Sequence, residues 1–120
     1  MSVVLKFEVK GSPETGYVLF KTTEQIGRDK LASFQKLVGG LIEPVAYLTG
    51  AALLMNEEAL NMDLVAWRVP DELEALVPDH FNVGGVKVLV GPVIFVADDG
   101  EDFMGFQDEF KANEALIGLQ

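Results

Sequence analysis

The sequence predicts a single α+β domain over residues 1–120: a small antiparallel or mixed β-sheet with one main helix and a further helix at the C-terminus. Short β-rich runs dominate, one stretch changes to helical spacing, and no linker-like segment divides a chain of the commonest single-domain size. About half the residues (49%) are apolar and 23% are charged, a balance that suits a packed core and argues against disorder.

Val3, Leu5, Phe7 and Val9 alternate with Val4, Lys6, Glu8 and Lys10, the period of a half-buried strand. Turn formers fill Gly11–Gly16, and Tyr17–Phe20 supplies a second strand, so the chain opens on a β-hairpin. Over Arg28–Val38 the period becomes helical, with Leu31, Phe34, Leu37 and Val38 on one side. Gly39-Gly40 follows at the position of a helix C-cap, and Lys36 sits near the negative end of the dipole.

Leu41–Leu48 and Ala51–Met55 read as a second hairpin turning at Thr49-Gly50, with Pro44 marking an edge or a bulge. Asn56–Asp63 fits a loop with a helical turn, Val65–Val69 a short strand, and Pro70–Leu76 a helical turn. Val86–Val96 is the most β-like stretch. Gly91-Pro92 makes it one bent strand or two, and unbroken Val93–Val96 suits a strand buried on both faces. Phe106, Phe110, Leu116 and Ile117 space a final helix over Phe106–Leu119. Leu31, Phe34, Val38, Ile94 and Val96 are the expected core.

Composition removes several classes of chemistry. Without cysteine there is no disulfide framework, thiolate zinc site or cysteine nucleophile. The lone histidine, His80, makes a zinc site improbable, and no serine stands in a nucleophile-elbow setting. Neither GxGxxG nor GxxxxGK[ST] occurs. The opening MSVVLKFEVK lacks signal-peptide features, and no apolar run reaches the ~20 residues that cross a bilayer. The expectation is a cytoplasmic protein with no membrane contact and no cofactor.

The net charge of −10 is unevenly spread. Residues 1–60 carry seven acids and six bases, residues 61–120 twelve acids and three bases. Such a surface repels phosphate backbones, which disfavours direct nucleic-acid binding and suits either plain solubility or a basic partner. Asp98-Asp99-Gly100-Glu101-Asp102 packs four acids around a glycine after a buried strand. Its oxygens could hold Ca²⁺ or Mg²⁺, but Phe95 stands where an EF-hand loop needs its first Asp. A solvated loop is the simpler account, with no metal expected.

Gln35-Lys36-Leu37-Val38-Gly39-Gly40, Ile42-Glu43, Asn56-Glu57-Glu58 and Gly91–Val96 with its acidic turn come in an order that resembles the domain of unknown function 3846 family of bacteria, archaea and their phages. Members typically run "QK-(I/V)-VGG", "IE", "NEEG" and a closing "GP" strand. The likeness spans residues 30–110 and departs after Glu58, where Ala59-Leu60 replaces a glycine and a basic residue, and Leu64–Pro70 lacks the family's "LPxN". The resemblance implies a phage or mobile-element setting and supplies no reaction. The matched residues also have a structural account as cap, strand start and turn.

Three functions compete. The leading expectation is a non-enzymatic accessory protein that binds a basic host protein through an acidic face of Asp98, Asp99, Glu101, Asp102, Asp108 and Glu109. The second is a binder of a nucleotide-like ligand, using Trp67-Arg68 and backbone amides near Gly39-Gly40 or Gly84-Gly85. The third is a carboxylate-metal enzyme built on residues 98–102.

Overall fold

Two antiparallel sheets and three helices make up the computed structural model, which describes residues 2–120. β1 (Ser2–Ser12) and β2 (Gly16–Ile26) form a long hairpin, followed by α1 (Lys30–Val38). β3 (Ile42–Leu48) and β4 (Ala51–Asn56) form a second hairpin, and a 3-10 turn covers Ala59–Asn61. Then come β5 (Ala66–Arg68), the one-turn α2 (Asp71–Glu74), a 3-10 turn at Asp79–Phe81, β6 (Asn82–Val83) and β7 (Val86–Val90). β8 (Val93–Asp98), β9 (Phe103–Met104) and α3 (Glu109–Gly118) complete the chain.

The main sheet has the order β2-β1-β8-β4-β3, with β9 on the end of β8, and every pairing in it is antiparallel. β8 is central, and Val93, Ile94, Phe95 and Val96 are fully buried, as the unbroken apolar run predicts. Gly91-Pro92 divides the β-rich stretch into two strands that lie in different sheets, because β7 pairs with β5 and β6 instead. Pro44 occupies edge strand β3, and the register shifts between Pro44 and Ala46, so edge and bulge coincide.

Strand alternation sorts the core onto the two sheet faces. On one face Leu5, Phe7, Leu53, Val93 and Phe95 pack with Trp67, Leu73, Leu89, Phe106, Ala112 and Leu116. On the other Val4, Leu54, Ile94 and Val96 pack with Ile26 and with Phe34 and Val38 of α1.

Several expectations need correction. β2 runs on through Lys21–Ile26, a polar stretch whose Thr22-Thr23 pair suits a strand but gives no apolar alternation. α1 starts at Lys30 because Asp29 is its N-cap, accepting a hydrogen bond from the Ala32 N–H at 3.0 Å, so Arg28 lies outside the helix. Leu31 is 52% exposed: the helix buries the i, i+4 pair Phe34 and Val38 and leaves Leu31 on its flank. The expected C-terminal helix is present as α3, and at ten residues it is one longer than α1, so α1 is not the one main helix. Phe106 is not helical; it bridges Val3 and stacks on Phe95 at 5.3 Å. In α3 the buried positions are Ala112 and Leu116, while Phe110 and Ile117 are each 69% exposed. Small Ala112 hid the inward stripe from a search for large apolar residues.

Candidate functional site

The register brings the six singled-out acids to one end of the main sheet. Leu5 pairs with Phe95 and Ser2 with Ile26, so the end of β8 lies beside the start of β1 and the end of β2. Asp98 donates its N–H to the Gly50 carbonyl at 3.0 Å, fixing the loop next to the β3–β4 turn. The Val3–Phe106 bridge then carries the chain to Asp108 and Glu109 at the same end.

Most of these carboxylates already bond the fold. Asp98 accepts from the Gly100 N–H at 2.8 Å. Asp99 accepts from the Asp102 and Glu101 N–H groups at 2.7 and 2.9 Å, which hold its carboxyl below the usual 3.8, with Lys30 adding to the effect. Asp108 is the N-cap of α3, accepting from the Lys111 N–H at 2.8 Å, and Glu109 accepts from the Thr23 hydroxyl at 2.9 Å. Asp99, Glu101, Asp102, Asp108 and Glu109 are exposed nonetheless. Among the described residues no three acidic or histidine side chains converge as metal ligands.

The opposite end of the sheet gathers the other motifs. The Gly39 and Gly40 N–H groups both donate to the Gln35 carbonyl, at 2.8 and 3.0 Å, closing α1 with Gly39 in the left-handed region (φ 84°). Beside the cap lies Asn56, a buried polar residue only 2% exposed. Its Nδ2 donates to the Val38 carbonyl at 3.2 Å, and its Oδ1 accepts from the Glu58 N–H at 2.8 Å. A Cβ on Gly40 would lie 2.9 Å from Asn56 Nδ2, so the second glycine makes room for the amide. Ile42 pairs with Asn56, and the Glu57 N–H donates to the Leu41 carbonyl. The VGG, IE and NEE segments are therefore one interlocked junction, and the pairing of an asparagine with a glycine sixteen residues away is invisible to local sequence patterns.

Trp67 is 6% exposed, and its indole N–H donates to the Gly91 carbonyl at 2.8 Å, tying β5 to the GP bend. Arg68 is exposed and has no ion-pair partner among the described residues. Both residues line a cleft of about 740 Å³ with Val9, Tyr17, Leu19 and Asp63. Gly39, Gly40, Gly84 and Gly85 do not line it, so the structure separates the expected ligand residues into different places. His80 is exposed, as a loop histidine should be, and lines a second, mainly apolar groove with Met55, Leu60 and Phe81.

A small antiparallel α+β domain with one carboxylate-rich end and one interlocked end is the class of protein that this geometry defines. The chain belongs to the family of the domain of unknown function DUF3846, which matches residues 4–116 and so covers the departing segment after Glu58 as well. No curated protein and no solved structure matches the chain. No helix among the described residues is long and apolar enough to cross a membrane.

Proposed function

We propose that this protein is a non-enzymatic accessory protein that binds a basic host macromolecule through its carboxylate-rich end, in the phage or mobile-element setting that the family resemblance implies. The observation that carries this reading is the gathering of Asp98, Asp99, Glu101, Asp102, Asp108 and Glu109 at one end of the sheet. Asp98 and Asp99 bond their own loop, so the charges are presented on an ordered turn, and preorganised charge loses less on binding. Charge of one sign steers a basic partner over distances set by the screening length, about 8 Å at physiological ionic strength.

The test replaces Asp98, Asp99, Glu101 and Asp102 by their amides and, in a control of equal charge change, Glu14, Glu43, Glu74 and Glu114. A basic host protein cross-linked to the parent should associate more slowly as salt rises, lose affinity for the loop variant and keep it for the control. Loop-variant binding as tight as the parent's at low salt would overturn the reading. A second reading, a nucleotide-like ligand in the cleft of Trp67 and Arg68, is favoured by the unpaired guanidinium and the volume, which lies within the usual range for ligand pockets. A nucleoside monophosphate that changes Trp67 fluorescence saturably in the parent but not in Arg68→Ala would support it.

A further inference from the structure

The apolar groove lies at the other end of the main sheet from the acidic loop. Met55 comes from the end of β4, Ala59 and Leu60 from the first 3-10 turn, His80 and Phe81 from the second, and Val83 and Val88–Val90 from β6 and β7. It encloses about 320 Å³, at the small end of the range for ligand pockets and room for a few apolar side chains of a partner. Leu60 stands 83% exposed and Val83 65% exposed on its walls. Large apolar side chains held in water beside a concave apolar surface mark an interaction site.

The charges around the groove are of one sign. Glu57 and Glu58 directly precede the lining residues Ala59 and Leu60, and exposed Asp79 directly precedes His80. Residues 55–65 and 79–85 contain no lysine or arginine. The neighbouring cation, Lys87, is occupied: its Nζ donates to the Glu74 carbonyl at 2.7 Å and lies 3.6 Å from Asp79. A second copy of this chain would bring acids against acids, and an anionic bilayer would do the same, so both are disfavoured by like charge.

We propose that this groove docks a basic amphipathic segment of a partner protein, with its apolar anchors against Met55, Leu60 and Phe81 and its cations facing Glu57, Glu58 and Asp79. This is the apolar-face-in-groove mode of peptide recognition, in which a few buried anchors carry most of the affinity. The site is separate from the carboxylate-rich end and goes beyond the binding proposed there.

The test uses a short synthetic peptide with leucine and lysine at amphipathic helical spacing, against a leucine–glutamate peptide and a lysine–serine peptide of equal length. Methyl and His80 ring signals are followed by NMR. The leucine–lysine peptide should bind saturably, with shifts at Met55, Leu60, His80 and Val83, while the other two should leave these four signals unmoved. Leu60→Ser, at an exposed position that leaves the core intact, should weaken binding roughly tenfold or more. Equal shifts of these signals with the lysine–serine peptide, no saturable shift of them with the leucine–lysine peptide, or an unchanged affinity in Leu60→Ser would each overturn the proposal. Shifts confined to residues 98–109 would also overturn it, while leaving the carboxylate-rich end standing as a binding surface.

Discussion

At one end of the main sheet the chain turns on exposed carboxylates, most of which bond backbone a few residues away; at the other, beside the glycine cap of α1, a buried asparagine and an indole bond across distant segments. The carboxylates of the acidic loop bond locally: Asp98 reaches Gly100 and Asp99 reaches Asp102. The interlocked end is nonlocal: Asn56 reaches Val38, and Trp67 reaches Gly91. Apart from the acidic turn, the residues that carry the family resemblance sit at the interlocked end, so most of that resemblance is a signature of how the fold is closed.

The largest effect tests the element that joins the two ends. Phe34 is buried on α1, whose first residue Lys30 neighbours Asp99 and whose last, Val38, is bonded by Asn56. Phe34→Ala should cost roughly 3–5 kcal/mol in chemical denaturation. An unchanged midpoint would remove Phe34 from the core and detach the helix from the sheet.

At the interlocked end, Asn56→Ala leaves the Val38 carbonyl and the Glu58 N–H without their partner and should cost about 2 kcal/mol. A loss no greater than that of a surface substitution would show that water replaces the amide and that this end is not locked.

At the carboxylate-rich end the losses should be smaller and separable from charge. Asp108→Ala removes the cap of α3 and should cost about 1 kcal/mol, whereas Asp108→Asn keeps a capping side chain and should cost little, though both remove one charge. Equal losses from the two would mean that charge, not capping, is what Asp108 contributes.

The smallest effects belong to the loop itself. The quadruple amide variant should move the thermal midpoint less than Asp108→Ala does, because exposed carboxylates contribute little to stability. Asp99 has a lowered value in the folded state, so its contribution is present above the unfolded value near 3.8 and is lost as pH falls through the lower folded one. Any gap between the parent and Asp99→Asn at neutral pH should therefore close in acid, and a gap that widens would reverse the assignment. Melts with excess chelator and with millimolar Ca²⁺ should coincide, and a saturable rise at micromolar metal would give the loop a ligand.

How much of this is legible in the sequence follows from the range of each interaction. Val93–Val96, the Val3–Val9 alternation and the Gly39 cap are legible because period and local turn chemistry specify them. The continuation of β2 through Lys21–Ile26 is not, since an edge strand open to solvent needs no apolar pattern. The inward face of α3 is hidden because Ala112 and a single leucine carry it. The acids are visible one by one, but their assembly at one end depends on strand register, and the bond between Asn56 and α1 depends on the whole fold. The apolar groove has no linear signature, because its walls come from segments as far apart as Met55 and Val90.

The strand at the centre of the main sheet arrives late from the ribosome. The β1–β2 and β3–β4 hairpins can each close from neighbouring residues, but they share no paired edge until Val93–Asp98 emerges and pairs with both. Until then β1 and β4 each expose a bare edge, the kind of surface on which nascent chains join one another. A chain stopped before Val93 should hold two hairpins without a common sheet and should aggregate. In a living cell, completion of residues 93–98 is therefore the event that turns two separate ribbons into one protein.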